Sequence, residues 1–155
     1  MLPHSHEPNL HPPSGHADLQ VTGPGQAPRR LTVAELRDLP AIEQADCYIV
    51  STGHGTSGPF RFRGPALSVV AAHCGIVDFR SARVAGGDGF AAILTAPEIM
   101  ETRPGRMAML ALTREGRALT RAQGLVRLIV PTERQDALKQ IKWISRIDFR
   151  AAPLR

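Results

Sequence analysis

The sequence predicts a single α+β domain: a strand-dominated mixed sheet with a barrel-like core and a few short helices. Three observations lead there. The chain has 155 residues, which suits one domain. Its 43% hydrophobic and 21% charged residues are an ordinary globular balance that can supply a core. Its apolar segments are short and punctuated by Gly, Pro and Asp, and only a few stretches carry helical signals.

Residues 1–30 are rich in Pro, Gly and His and poor in large apolar side chains, so they are expected to form a disordered tail. His4, His6, His11 and His16 lack the regular spacing of a metal site and are read as polar tail residues. The domain is expected over residues 31–150, with 151–155 as a short second tail. Thr32 and Glu35 have capping-box spacing, which predicts a short helix to about Asp38, ending before Pro40. Asp46 to Val50 reads as a strand, residues 51–59 as a Gly/Ser/Thr loop, and Phe60 to Arg63 as an alternating strand. Pro65 opens a second helix. Leu67, Val70, Ala71 and Cys74 form its apolar face, and Gly75 ends it.

Ala82 to Ala85 and Phe90 to Leu94 are expected strands around the turn Gly86 to Gly89, followed by one helical turn from Pro97 to Met100. Met107 to Thr113 and Leu125 to Val130 are apolar strands, with a turn at Arg114 to Arg117 between them. The last element runs from about Ile141 to Phe149 and holds the single tryptophan. Alternation along it places Lys142 and Trp143 on opposite faces, with Trp143 buried.

No apolar run approaches the ~18 residues of a membrane span. The N-terminus has neither a basic start nor an apolar stretch, so a cytoplasmic location is expected, or a periplasmic one if the true start lies upstream with a signal peptide. Cys47 and Cys74 are too few for a disulfide framework and make no CxxC pair.

The net charge of +5 is unevenly placed. Residues 1–100 hold seven Arg and nine Asp+Glu, whereas residues 101–155 hold twelve Lys+Arg and five Asp+Glu. A basic last third fits either an anionic partner or a solvated Arg-rich surface. Nucleic acid ranks last among such partners, because 5% aromatic residues leave few platforms for base stacking.

The order of motifs carries a resemblance. Leu31 to Leu36 with Leu39 and Pro40 form an entry segment, and Cys47 follows in the first expected strand. Arg63, Gly64 and Leu67 open the second helix, and Asp88, Gly89 and Phe90 begin a strand. Leu110 and Ala111 precede Gly116 and Leu119. Arg127 to Pro131 follows, and Lys139, Lys142, Trp143, Arg146 and Ile147 close the chain. In this order the chain resembles the oxidoreductase molybdopterin-binding domain of the sulfite oxidase family, over about residues 31–149.

The resemblance implies a pterin cofactor that carries molybdenum on two dithiolene sulfurs and ends in a phosphate. It implies oxygen-atom transfer, a small-molecule substrate and an electron-transfer protein partner. Cys47 matches the family's catalytic cysteine, a soft thiolate ligand of the metal; the other reading is a buried structural cysteine. Lys139 matches the lysine that holds the pterin phosphate and Arg127 the arginine of the preceding basic strand, since charge-assisted hydrogen bonds suit a phosphate. The family's Gly-x-Pro-x-Arg is Gly124, Leu125, Val126, Arg127 here, one residue shorter and without the proline. Gln123 falls where the family often has a polar amide, and His54 follows Cys47 in the Gly-rich loop, where it is exposed, contacts the cofactor or acts in proton transfer. His73 is expected to help cap the second helix. The alternative function is a non-catalytic binding module that keeps this fold without redox activity.

Overall fold

The computed structural model describes residues 18–51, 55–131 and 141–151, and the statements below concern these. Order begins earlier than the composition suggests. Residues Leu19–Thr22 form strand β1 and Arg29–Leu31 form β2, so the expected boundary at Leu31 moves back to at least Asp18. Leu19, Val21 and Leu31 are buried, which supplies the apolar contact that the surrounding Pro/Gly composition hid. Helix α1 (Val33–Asp38) starts as expected, with Thr32 and Glu35 exchanging both capping-box hydrogen bonds.

Strands β3 (Ile42–Ser51) and β4 (Gly55–Gly64) form one long hairpin, so the described part of the expected loop, Ser51 and residues 55–59, is strand. Helix α2 (Leu67–His73) is shorter than expected. Pro65 precedes it, Ala66 is its N-cap, and Gly75 follows in the left-handed region at φ +72°. Strands β5 (Ser81–Gly86) and β6 (Ala91–Thr95) lead into α3 (Ala96–Ile99), which carries a second capping box, Thr95 with Glu98, not singled out from the sequence. Strand β7 (Met109–Ala111), the small hairpin β8 (Thr113–Arg114) and β9 (Arg117–Ala118), and β10 (Arg127–Ile129) precede the final strand β11 (Ile144–Arg150).

The strands make three sheets. The largest has the order β2-β1-β11-β5-β6, with β1 parallel to β11 and every other pair antiparallel. The second is the ribbon β10-β7, and the third has the order β3-β4-β8-β9. The ribbon is the wall between two cores. Leu110 and Leu128 face the larger core with α1, α2 and the inner side of the five-stranded sheet. Met109, Ala111 and Ile129 face a smaller one with Cys47, Phe62 and Leu119. This is why both ribbon strands are buried throughout and read as continuous apolar runs rather than as alternation. Gly64 is where β4 passes β7: a Cβ there would lie 1.9 Å from the Leu110 carbonyl oxygen, so only glycine fits.

Candidate functional site

Arg127 stands in β10 opposite Ala111 and, by strand alternation, shares its face with Ile129 on the side of the smaller core. It is a buried charge, 9% exposed. Its Nη1 donates to the Gln123 carbonyl at 3.1 Å, but its Nε is buried with no hydrogen-bond partner. Burying a guanidinium donor without an acceptor is costly. Burial, with repulsion from Arg114 second, pushes the guanidinium well below its ordinary range, to about 10, and Asp88 opposes the shift.

Lys142 joins it. The segment before β11 does not alternate as the sequence suggests, because Trp143 takes a left-handed conformation at φ +53°. Its N–H donates to the Gly124 carbonyl at 2.9 Å and its carbonyl accepts from Gly87 N–H at 2.8 Å. Lys142 and Trp143 therefore share a side, contrary to expectation, and Lys142 Nζ lies 4.3 Å from the centroid of the Trp143 ring. Trp143 itself is buried as expected, and its Nε1 donates to the Arg121 carbonyl. Burial first, and the neighbouring Arg127 second, hold the Lys142 ammonium below the usual lysine range, against the pull of Asp88.

Two glycines make this convergence sterically feasible. At Gly124, φ +109°, a Cβ would lie 2.7 Å from Lys142 Cβ and 3.0 Å from Arg127 Cγ. At Gly86 it would lie 2.3 Å from the Lys142 carbonyl oxygen and 2.9 Å from Asp88 Oδ1. The backbone therefore brings Arg127 and Lys142 together at one point and sets Asp88 beside the Lys142 backbone. Arg114 completes the cluster from β8, its guanidinium stacked 4.5 Å from the centroid of Phe60. Arg114 repels Arg127 and Arg127 repels Lys142, one carboxylate answers them, and the Arg127 donor is unsatisfied, which together form an anion-binding arrangement.

Among the described residues of the last third, Arg146 and Arg103 are ordinary surface groups. Arg146 pairs with Asp148 at 2.8 Å and Arg103 with Glu101, both arginines well exposed. The basic balance thus divides between a solvated face and this buried cluster.

Cys47 lies in β3 opposite Phe60, between two register irregularities. It is 2% exposed, packed in the smaller core, and its thiol donates to the carbonyls of Gln44 at 3.5 Å and Ala45 at 3.6 Å. Cys74 is buried in the larger core at the end of α2, as its spacing predicts, and desolvation pushes its thiol up. Gln123 is used by its own turn: its Oε1 accepts from Thr120 N–H at 3.0 Å and its N–H donates to Thr120 Oγ1 at 3.1 Å. At the end of α2 the capping is done by Arg29 from β2, which donates to the His73 carbonyl and approaches the His73 ring, rather than by His73. Lys139 and His54 lie outside the described residues.

The structure therefore places Arg127 in a convergent site and adds Lys142 and Arg114, which the sequence reading did not select. The signal for Lys142 was present in its position before Trp143 in the closing motif. Nothing local marks Arg114, because only the β8–β4 pairing carries it to Phe60. The cluster fits the anionic end of a phosphate-bearing cofactor, on the ground of the orphaned Arg127 Nε and its neighbouring charges. Among the described residues no group of three or more His, Cys, Asp or Glu side chains is arranged to hold a metal ion, and no helix is long and apolar enough to cross a membrane.

The family model described as oxidoreductase molybdopterin binding domain matches residues 6–155. Among solved structures, the chain is similar to the sulfane dehydrogenase SoxCD from Paracoccus pantotrophus, with 21% identity and a TM-score of 0.70. The match covers 87% of this chain and 38% of that one, so the likeness shows the fold and spans well under half of the larger chain. No curated protein matches the sequence.

Proposed function

Since the chain belongs to the oxidoreductase molybdopterin-binding domain family, we propose that Arg127, Lys142 and Arg114 hold the phosphate end of a molybdopterin and that the chain serves an oxygen-atom-transfer oxidoreductase as its cofactor-binding domain. The observation that carries this reading is the buried Arg127 Nε without an acceptor, beside two further cations. A phosphate oxygen would give that donor its partner and offset both the burial and the repulsion that depress Arg127 and Lys142. Lys139 is a further candidate for the phosphate by its place in the closing sequence motif alone. Trp143 positions Lys142 by lying beneath its ammonium, and the Thr120–Gln123 turn fixes the carbonyl that orients Arg127.

When bound, the cofactor supplies a molybdenum centre suited to moving an oxygen atom between a small substrate and water. The chain's own residues bind and orient its anionic end. Electrons would pass to a separate electron-transfer protein. The test is pterin and molybdenum analysis of protein purified from a host that makes the cofactor. Pterin in stoichiometric amount in the wild type, lost in Arg127→Ala and Lys142→Ala, is the expected result. A pterin-free wild type, or full retention by both variants, would refute the proposal.

A further inference from the structure

We infer that neither cysteine of this chain ligates a metal, so that a molybdenum centre carried by the pterin receives no thiolate from these residues. The inference rests on the cofactor reading above only for the presence of the metal. It departs from what the resemblance assigns to Cys47.

A ligating thiolate must present its sulfur to the site, lose its proton to the metal and sit in polar or electropositive surroundings. Cys47 does not meet the first: it is 2% exposed, and its sulfur is turned to its own strand. Its neighbours in the smaller core are Phe62, Met109, Ala111, Leu119 and Ile129. Its Sγ points back along its own strand, donating to two backbone carbonyls two and three residues earlier. A metal on Sγ would replace the proton those carbonyls accept and leave two oxygen dipoles facing a sulfur with nothing to donate. The irregularities on either side of Cys47 in the β3–β4 register hold the side chain in this inward position, opposite Phe60.

Cys74 offers no substitute. It caps the end of α2, is 8% exposed and belongs to the larger core. The chain has two cysteines in all, so no third residue of this kind is available anywhere in it. Although Cys47 lies on the same side of β10 as Arg127, the two side chains do different things. The cationic cluster grips the anionic end, while Cys47 packs the core.

Two measurements test this, and the first needs no cofactor. Thiol titration of the native full chain with an aromatic disulfide should find both cysteines unreactive, and denaturant should release two thiols. One rapidly reacting native thiol mapped to Cys47 by mass spectrometry would overturn the inference. The second uses protein from a cofactor-making host. X-ray absorption at molybdenum should give the same number of sulfur neighbours in the wild type and in Cys47→Ala, with unchanged molybdenum content. A count lower by one sulfur in the variant would overturn it. If the wild type carries no pterin, the cofactor reading fails, and the thiol titration still decides the placement of Cys47.

Discussion

Replacing Arg127 with Met removes a buried cation and keeps most of its volume. Folding pushes the guanidinium more than two pKa units below its ordinary range, to about 10. At about 1.36 kcal/mol per pKa unit this is a penalty of roughly 3 kcal/mol on the charged form. A base whose folded pKa is depressed binds fewer protons when folded only between the two values. Below about pH 10 both states are protonated, so at neutral pH the penalty is fully present and does not vary with pH. Losing the hydrogen bond to the Gln123 carbonyl returns about 1 kcal/mol. The ligand-free variant should therefore be more stable than the wild type by about 2 kcal/mol, a rise in Tm of roughly 4–8 °C for a chain of this length. Pyrophosphate, a probe for the phosphate end, should raise the Tm of the wild type and leave the variant unmoved. Thermal melts at pH 7 with and without pyrophosphate read both effects. A variant less stable than the ligand-free wild type, or one that still responds to pyrophosphate, would refute the reasoning.

Other changes follow from the fold. Gly64→Ala drives a methyl into the Leu110 carbonyl and should abolish soluble, folded protein, as judged by the far-ultraviolet circular dichroism spectrum. Trp143→Ala removes a buried ring and its hydrogen bond to Arg121, for an expected loss of about 3–5 kcal/mol in urea unfolding. It should also weaken the pyrophosphate response, because Lys142 loses its support. Truncation of residues 1–30 removes β1 and most of β2 from the five-stranded sheet, so the shortened chain should melt far below the wild type. An unchanged Tm would show that β1 contributes nothing. Raising the salt concentration should weaken the pyrophosphate response only modestly, since a buried cluster is screened much less than exposed charges.

The sequence by itself determined what short-range chemistry can encode. Thr32 with Glu35 specified the start of α1, because the capping box is local. The apolar spacing through Cys74 placed α2's inner face, and the continuous runs around Leu110 and Leu128 marked strands buried on both sides. The motif order fixed the family and pointed to Arg127. Only the tertiary structure decided the rest. β1 escaped notice because its stability comes from pairing with β11, more than a hundred residues later, not from its own composition. Alternation failed at Trp143 because a left-handed residue, bonded to Gly124 and Gly87 from two other segments, turns Lys142 onto the indole. Arg114 reaches the cluster through strand pairing alone. Whether a cysteine in a strand faces a site or a core depends on the register of its partner strand, and the pairing with β4 turns Cys47 inward. Charge behaves in the same way: a count of arginines gives the sign of the last third, and burial alone separates the three cations that converge from those that water screens.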